Sequence, residues 1–470
     1  MANTGWDDEI FGAMWKFLGW LFKQGGKAAV GAATSAWEQS QQQEKTAAEL
    51  STAELYAIAE QYIENMPSGV VFGKQDGAYI CKHENTDGHV LVVGGVGSGK
   101  SSCIAIPTLQ HWLGSVFAID IKGELFTKAD RYATTKIFNP LDENAYGYDP
   151  FFRLRTSNNP AQEALAIAQA LIPLPPDTRD PFWITSAQNI FTAVILFCNC
   201  FNLSFVDAIK IVSGFSPKEL IKILVTFKEK LNISSYISSY QDMNEQTLAS
   251  IVAEITRNTA HFLADKNLLS ALLRKKNITP EDLEFGHDVF IHIPEHLLRQ
   301  WKNLLTLMVS QFLAHFEQRS EEKASPILFM LDEFPRLGKI PVILDGLATL
   351  RSKKITMCLA VQSLAQLDVI YGENERKVIA DTCAYKAILS ATDADTQEYF
   401  SRLVGTYDKR MTSHGTQKEA YTGYKTGTST FTAEHERRII KPEDFATLRD
   451  ILLLTPYGAM RVDKAPYWLD

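Results

Sequence analysis

The 470-residue chain is 46% hydrophobic and 22% charged, a composition that suits two folded domains with sizeable cores and excludes a disordered or fibrous chain. A net charge of −8 argues against a surface coated nonspecifically by nucleic acid, while leaving room for a local basic groove. The six cysteines form no C-x-x-C pair, which points away from a zinc site or a disulfide framework and towards reduced, structural thiols.

No secretory pattern opens the chain. Residues 10–22, IFGAMWKFLGWLF, are too few to span a bilayer and are interrupted by Lys16. Their aromatic side chains, with Lys16, Lys23 and Lys27, suit a helix lying on a membrane surface, and packing on the protein's own body or on a partner helix suits them equally. No run of eighteen or more uncharged apolar residues is expected elsewhere. A small, polar stretch at 25–44 and a helical pattern at 47–65 complete an N-terminal helical appendage, residues 1–65.

Glycines at 69, 73 and 77 punctuate a β-hairpin over 70–81, which leads into the stretch HVLVVGGVGSGKSS at 89–102. There a short apolar strand, 90–93, breaks into a glycine-rich turn. Gly94, four intervening residues, then Gly99, Lys100 and Ser101 fill the G-x-x-x-x-G-K-[ST] spacing of a phosphate-binding loop. With Gly95, Gly97, Ser98 and Ser102 such a loop can turn backbone N–H groups around a polyphosphate. Lys100 would pair with the β- and γ-phosphates and Ser101 would place its hydroxyl on Mg²⁺. A helical pattern at 104–112 and a strand at 115–120, SVFAID, complete a βαβ unit and hence a parallel sheet. The charged turn DIKGE follows, with Asp120, Lys122 and Glu124 where strand ends face a ligand crevice. Another short strand and a proline-rich turn, KIFNPLDENAYGYDPF, end the first part of a nucleotide-binding domain, residues 66–176.

Between about 177 and 284 the pattern becomes helical throughout, with one long helix over 183–200 and another over 248–273: an all-helical domain. Strand grammar resumes at 289–294, VFIHIP, where His292 has no partner in sequence and reads as a satisfied core or edge histidine. An amphipathic helix over 304–316 follows. A buried strand at 326–331, PILFML, then delivers Asp332 and Glu333 to its end, Asp332 to hold Mg²⁺ and Glu333 to activate the attacking water. A further strand, 356–361, ends on Gln362, a candidate γ-phosphate sensor or equally a core-capping amide. Residues 285–470 thus form the second part of the nucleotide-binding domain. Residues 415–430 are rich in glycine and threonine and suggest a hairpin of no assigned role.

Taken together, GGVGSGKS, VFAIDIKGELF, NPLD with YDPF, PFW at 181–183, FMLDEFPRLGKIP and QSLAQLDVIYG resemble the type IV secretion coupling proteins, the TraG-like conjugation ATPases, in consistent order over residues 70–470. The resemblance implies an α/β, RecA-like P-loop NTPase with a central, mainly parallel sheet and an inserted all-helical domain. It implies ATP and Mg²⁺, a homo-hexameric ring, and hydrolysis that drives relaxase-bound single-stranded DNA, or relaxosome and effector proteins, to a membrane protein of the secretion channel. Lys100, Ser101, Asp332, Glu333 and Gln362 carry over as nucleotide-site residues, and Arg351 falls where the family has an arginine proposed to act across the subunit interface. Members of the family begin with transmembrane helices and this chain is expected to have none. That places it in the cytoplasm, including the inner face of the cell membrane, by docking on a membrane partner or through residues 10–22. Candidate DNA contacts are Arg274, Lys275, Lys276, Lys353 and Lys354, residue types that also make ordinary solvated surfaces. Two alternatives share parts of this pattern: a DNA pump like FtsK or HerA, and a non-hydrolysing ring adaptor that presents cargo. A small-molecule kinase fits least, given the size of the helical domain.

Overall fold

A computed structural model describes residues 68–131, 134–175, 178–321, 324–418 and 425–469. The N-terminal appendage expected at 1–65, with its membrane or partner segment, lies outside the described residues, as do 419–424 of the glycine- and threonine-rich stretch.

The hairpin read at 70–81 forms as β1 (Val70–Gln75) and β2 (Ala78–Lys82). Seven strands then run parallel: β3 (Val90–Val93), β4 (Ser115–Asp120), β5 (Thr135–Phe138), β6 (Asp288–His292), β7 (Ile327–Leu331), β8 (Ile355–Val361) and β9 (Tyr385–Ile388). β10 (Thr406–Lys418) and β11 (Lys425–Arg438) make a separate antiparallel ribbon. β12 (Ile451–Thr455) and β13 (Gly458–Val462) close one edge of the main sheet antiparallel. The nine-stranded order is β13-β12-β9-β3-β8-β7-β4-β6-β5.

The central strands are buried on both sides because their short apolar runs feed two cores. Leu91, Val93, Phe117, Ile119, Phe329 and Leu331 face the long helix Glu295–Glu317 and the helical region beyond it. The alternate residues Val90, Val92, Val116, Ala118, Leu328 and Met330 face Ile104, Leu109 and the β1–β2 hairpin. The parallel pairing of β3 with β8, β8 with β7 and β7 with β4 leaves their C-terminal ends side by side, and the loops leaving those ends form one rim.

Between β5 and β6 the described chain is helical, from Phe152–Thr156 to Pro280–Glu284. Ser204 with Asp207 and Ser216 with Glu219 form capping boxes that start two of these helices. Helices begin before residue 177: Pro160–Leu171 packs on Phe182–Cys200 and on Glu295–Glu317. The single helix expected over 248–273 is three, Glu245–Thr259, His261–Ala264 and Lys266–Leu272. Asp265 causes the second break, since its carboxylate accepts from the N–H groups of Asn267 and Leu268 and from Trp301 Nε1 at 2.8 Å. Arg274 is not a free contact for DNA. Its guanidinium donates to the carbonyls of Asn139 (3.2 Å), Ala145 (3.1 Å) and Tyr146 (3.2 Å), so it ties the helical region to the loop after β5.

One described helix, Phe182–Cys200, is long and apolar enough to cross a membrane, against the expectation that none would be. With 61% of its most apolar window buried among neighbouring helices, it has the profile of a core helix.

The N-terminal ends of β3 and β8 are held by a buried histidine. His89 Nδ1 accepts from the Met357 N–H at 3.0 Å, which leaves Nε2 as the protonated nitrogen, donating to the Leu347 carbonyl at 3.0 Å. Burial, with the charge of nearby Lys82, pushes its pKa from 6.5 down to about 4. The unfolded chain therefore takes up a proton that the folded chain refuses, and stability falls as pH drops from about 6.5 towards 4. The full effect is roughly 3 kcal/mol. Thermal melting across that window should lose stability more steeply for the wild type than for His89→Gln, and equal slopes would contradict the assignment.

Candidate nucleotide site

The turn after β3 is fixed by backbone bonds. The Gly94 N–H donates to the Val361 carbonyl of β8 at 3.1 Å, the Ser98 N–H to the Gly95 carbonyl at 3.2 Å, and the Gly95 N–H to Ser390 Oγ at 3.0 Å. The loop favours glycine at two left-handed positions, Gly97 at φ +74° and Gly99 at φ +104°. A π-helical turn, Lys100–Ala105, starts immediately and continues as the helix Ile106–His111, so helical backbone begins at the lysine rather than at 104. The helix's first N–H groups consequently face the loop, as anion binding needs.

Lys100 is buried. Its ammonium donates to the Gly94 carbonyl at 2.6 Å and the Gly95 carbonyl at 3.3 Å. Burial lowers its pKa, and the carboxylates of Glu333 and Asp332 oppose that shift. The cation is thus held inside its loop by neighbouring anions and carbonyl dipoles, with little water to screen it.

The carboxylates arrive from β7. In an extended strand adjacent side chains point to opposite faces, and the chain escapes that rule by placing Glu333 in the left-handed region at φ +54°. Both carboxylates then serve the same rim. Asp332 Oδ2 accepts from Ser101 Oγ at 3.3 Å, and its Oδ1 accepts from the Glu333 N–H at 3.1 Å. Burial and the neighbouring Glu333 charge raise the Asp332 pKa, against the pull of Lys122 and Lys100. A serine hydroxyl and a buried carboxylate at this separation are oxygen donors of the kind a hard cation takes, so the donor set fits Mg²⁺.

Gln362, at the end of β8, donates from Nε2 to Glu333 Oε2 at 3.0 Å. The topology explains the contact: β8 lies between β3 and β7, so its end falls between the phosphate loop and the acidic pair. Gln366, which sequence reasoning passed over, holds the sensor candidate from one helical turn further on. Its Oε1 accepts from the Gln362 N–H and its Nε2 donates to Gln362 Oε1, both at 3.3 Å. A Gln-x-x-x-Gln spacing straddling a strand end was the available signal. From DIKGE, Asp120 binds its own turn, accepting from Gly123 and Phe126 N–H groups at 2.7 and 3.0 Å. Lys122 reaches the site, with Nζ 3.9 Å from Glu333 Oε1. His292 is satisfied, as expected, by the Asp120 carbonyl at 2.9 Å.

Lys122, Glu124 and Glu333 line a cleft of about 260 Å³ whose walls include Gly95, Gly97, Ser98, Gly99, Lys100, Ser101 and Ser102. Gly94 sits behind them. The far wall was not foreseen: Tyr467 and Trp468, from the chain's last turn, lean over the loop. Arg351 is not brought to this cleft. It is exposed in the 3₁₀ turn Leu350–Lys353, before β8, so the length of that strand, roughly 20 Å, separates it from the rim where Gln362 sits.

A family model described as type IV secretory system conjugative DNA transfer matches residues 39–470. Protein VirD4 of Agrobacterium fabrum is 25% identical over 430 residues, covering 86% of this chain and 63% of that protein. The conjugal transfer protein TraG of the same organism is 24% identical over 337 residues, 67% of this chain and 51% of the relative. The chain therefore spans about 60% of the length of the VirD4 proteins it matches. Among solved structures, the bacterial conjugative coupling protein TrwB in an unbound form superposes with a TM-score of 0.66 at 16% identity, covering 84% of this chain and 88% of that one. TrwB in complex with ADP and Mg²⁺ gives 0.63 at 16% identity, covering 80% and 85%. The likeness shows that the mostly parallel sheet and its helices form the RecA-like NTPase fold of those proteins.

Proposed function

The chain belongs to the type IV secretory system conjugative DNA transfer family, and we propose that it acts there as a coupling ATPase. It hydrolyses ATP with Mg²⁺ and uses the cycle to pass DNA, or a protein cargo, to a secretion channel. The observation that carries this is the convergence of three strand ends: Lys100 after β3, the Ser101–Asp332 contact completed by β7, and the Glu333–Gln362 bond completed by β8. The relatives named above and the Mg²⁺-ADP complex of TrwB agree with it.

Each residue then has a distinct task. Backbone N–H groups of the loop and the Lys100 ammonium bind the β- and γ-phosphates and neutralise charge that grows in the transition state. Ser101 and Asp332 hold Mg²⁺, which polarises the phosphoryl oxygens. Glu333 accepts the proton of the attacking water, and Lys122 beside it offsets its charge. Gln362 orients Glu333 and reports the γ-phosphate to β8. Arg351, exposed on the opposite rim, can reach a phosphate only from another copy of the chain, which is why a six-membered ring is the proposed working form.

Gln362→Ala is expected to lower turnover about 10–100-fold with nucleotide affinity nearly unchanged, because the base loses its orientation while the phosphate loop is untouched. Steady-state kinetics check this, and an unchanged kcat would remove Gln362 from the mechanism. The assembly is tested by sedimentation with a non-hydrolysable ATP analogue and single-stranded DNA: six-subunit mass supports the ring, and a monomer under all conditions contradicts it. DNA held through phosphates should bind more weakly as salt rises.

A further inference from the structure

The aromatic pair over the phosphate loop is where a nucleotide has something to grip besides phosphate. After β13 the chain is locked in place: the Asp463 N–H donates to the Lys74 carbonyl at 2.8 Å, the Lys74 N–H returns a bond to the Asp463 carbonyl at 3.0 Å, and Ala465 is buried. The turn Tyr467–Leu469, closed by a Leu469 N–H bond to the Pro466 carbonyl at 2.9 Å, then sets both rings at the cleft. Tyr467 is fixed, partly buried against the core below β3 with the Lys128 ammonium 5.7 Å from its ring. Its edge-to-face contact with Trp468, 5.0 Å between centroids at 81°, holds the indole upright. Trp468 is nevertheless 61% exposed. A large aromatic face, braced from behind and open in front, is an unusual thing to leave in water beside a polyphosphate loop.

We propose that Trp468 is the stacking platform for the base of the bound nucleotide. A stacking face recognises a π-surface and not a base edge; Ile106, Tyr467 and the Glu124 carboxylate line the same cleft as Trp468. Adenine and guanine nucleotides should accordingly be held about equally, and pyrimidine nucleotides less well, since the stacked area is smaller. This rests on the loop being a nucleoside triphosphate site, as proposed above.

The two ideas separate in one titration series, using ATP and inorganic tripolyphosphate as probes with Mg²⁺ and the full chain. Trp468→Ala should weaken ATP binding about 10-fold and leave tripolyphosphate binding unchanged, because the latter has no base to stack. Trp468→Phe should keep most of the ATP affinity. If Trp468→Ala leaves both affinities unchanged, or weakens both alike, stacking is overturned while the phosphate site stands, provided Lys100→Ala abolishes both. If wild-type protein and Lys100→Ala bind the two probes equally poorly, the phosphate site itself is wrong and stacking falls with it.

Discussion

Glu333→Gln is expected to bind Mg²⁺-ATP as tightly as the wild type and to release phosphate at least about a hundred-fold more slowly. The substitution keeps the size of the side chain and an oxygen that can accept from Gln362 Nε2, now 3.0 Å from the carboxylate. Lys100, Ser101 and Asp332, which make the binding contacts, are untouched. What disappears is the basic oxygen that takes the proton of water. Lys122, 3.9 Å away, also loses its anion and becomes free to approach the γ-phosphate, which favours the bound state further. Rapid-quench and nucleotide-binding assays on the same preparation separate the two quantities. A variant that hydrolyses at the wild-type rate would move the base elsewhere on the rim; one that fails to bind would make Glu333 a structural residue.

The second large effect is at Lys100. Replacing it by alanine should lower ATP turnover by about 10²–10³-fold and weaken nucleotide binding, because the buried cation between Asp332 and Glu333 is lost. Without it the γ-phosphate meets two carboxylates with the loop's N–H groups and Lys122, itself 3.9 Å from Glu333, in opposition. The fold should survive the change at some cost in stability: the desolvation of the ammonium is relieved, but the Gly94 and Gly95 carbonyls lose their donor and the buried Asp332 and Glu333 lose a counter-charge. A native circular dichroism spectrum with one cooperative, lowered thermal transition, alongside the loss of turnover, is the expected pair of results. Full activity in Lys100→Ala would rule out the phosphate loop.

The residues legible in the sequence are those whose chemistry is local. Gly94 to Ser101 is one continuous signature, and Asp332 and Glu333 announce themselves at the end of an apolar strand. Gln362 was suggested by its place after another strand, although only the insertion of β8 between β3 and β7 explains why it meets Glu333 and not a core atom. What was missed depends on distant pairings. Trp468 reaches the loop because β12 and β13 turn back along β9 and Asp463 pairs with Lys74, contacts nearly 400 residues apart that no periodicity encodes. Arg274 was read as a surface charge because its carbonyl partners lie some 130 residues earlier. The helix over 248–273 was over-extended because apolar spacing outlasts the hydrogen bonds: Asp265, an aspartate within a helical pattern, was the stop signal, and its second partner, Trp301, is again remote.

The most direct test is phosphate release from ATP by the wild-type chain in Mg²⁺, under conditions where its mass shows a ring, with and without single-stranded DNA. A coupling motor should hydrolyse ATP above the Lys100→Ala background and faster when DNA is added. A confirmed ring that binds ATP yet hydrolyses it no faster than Lys100→Ala, with DNA present, would contradict the central claim and leave a nucleotide-held adaptor in its place.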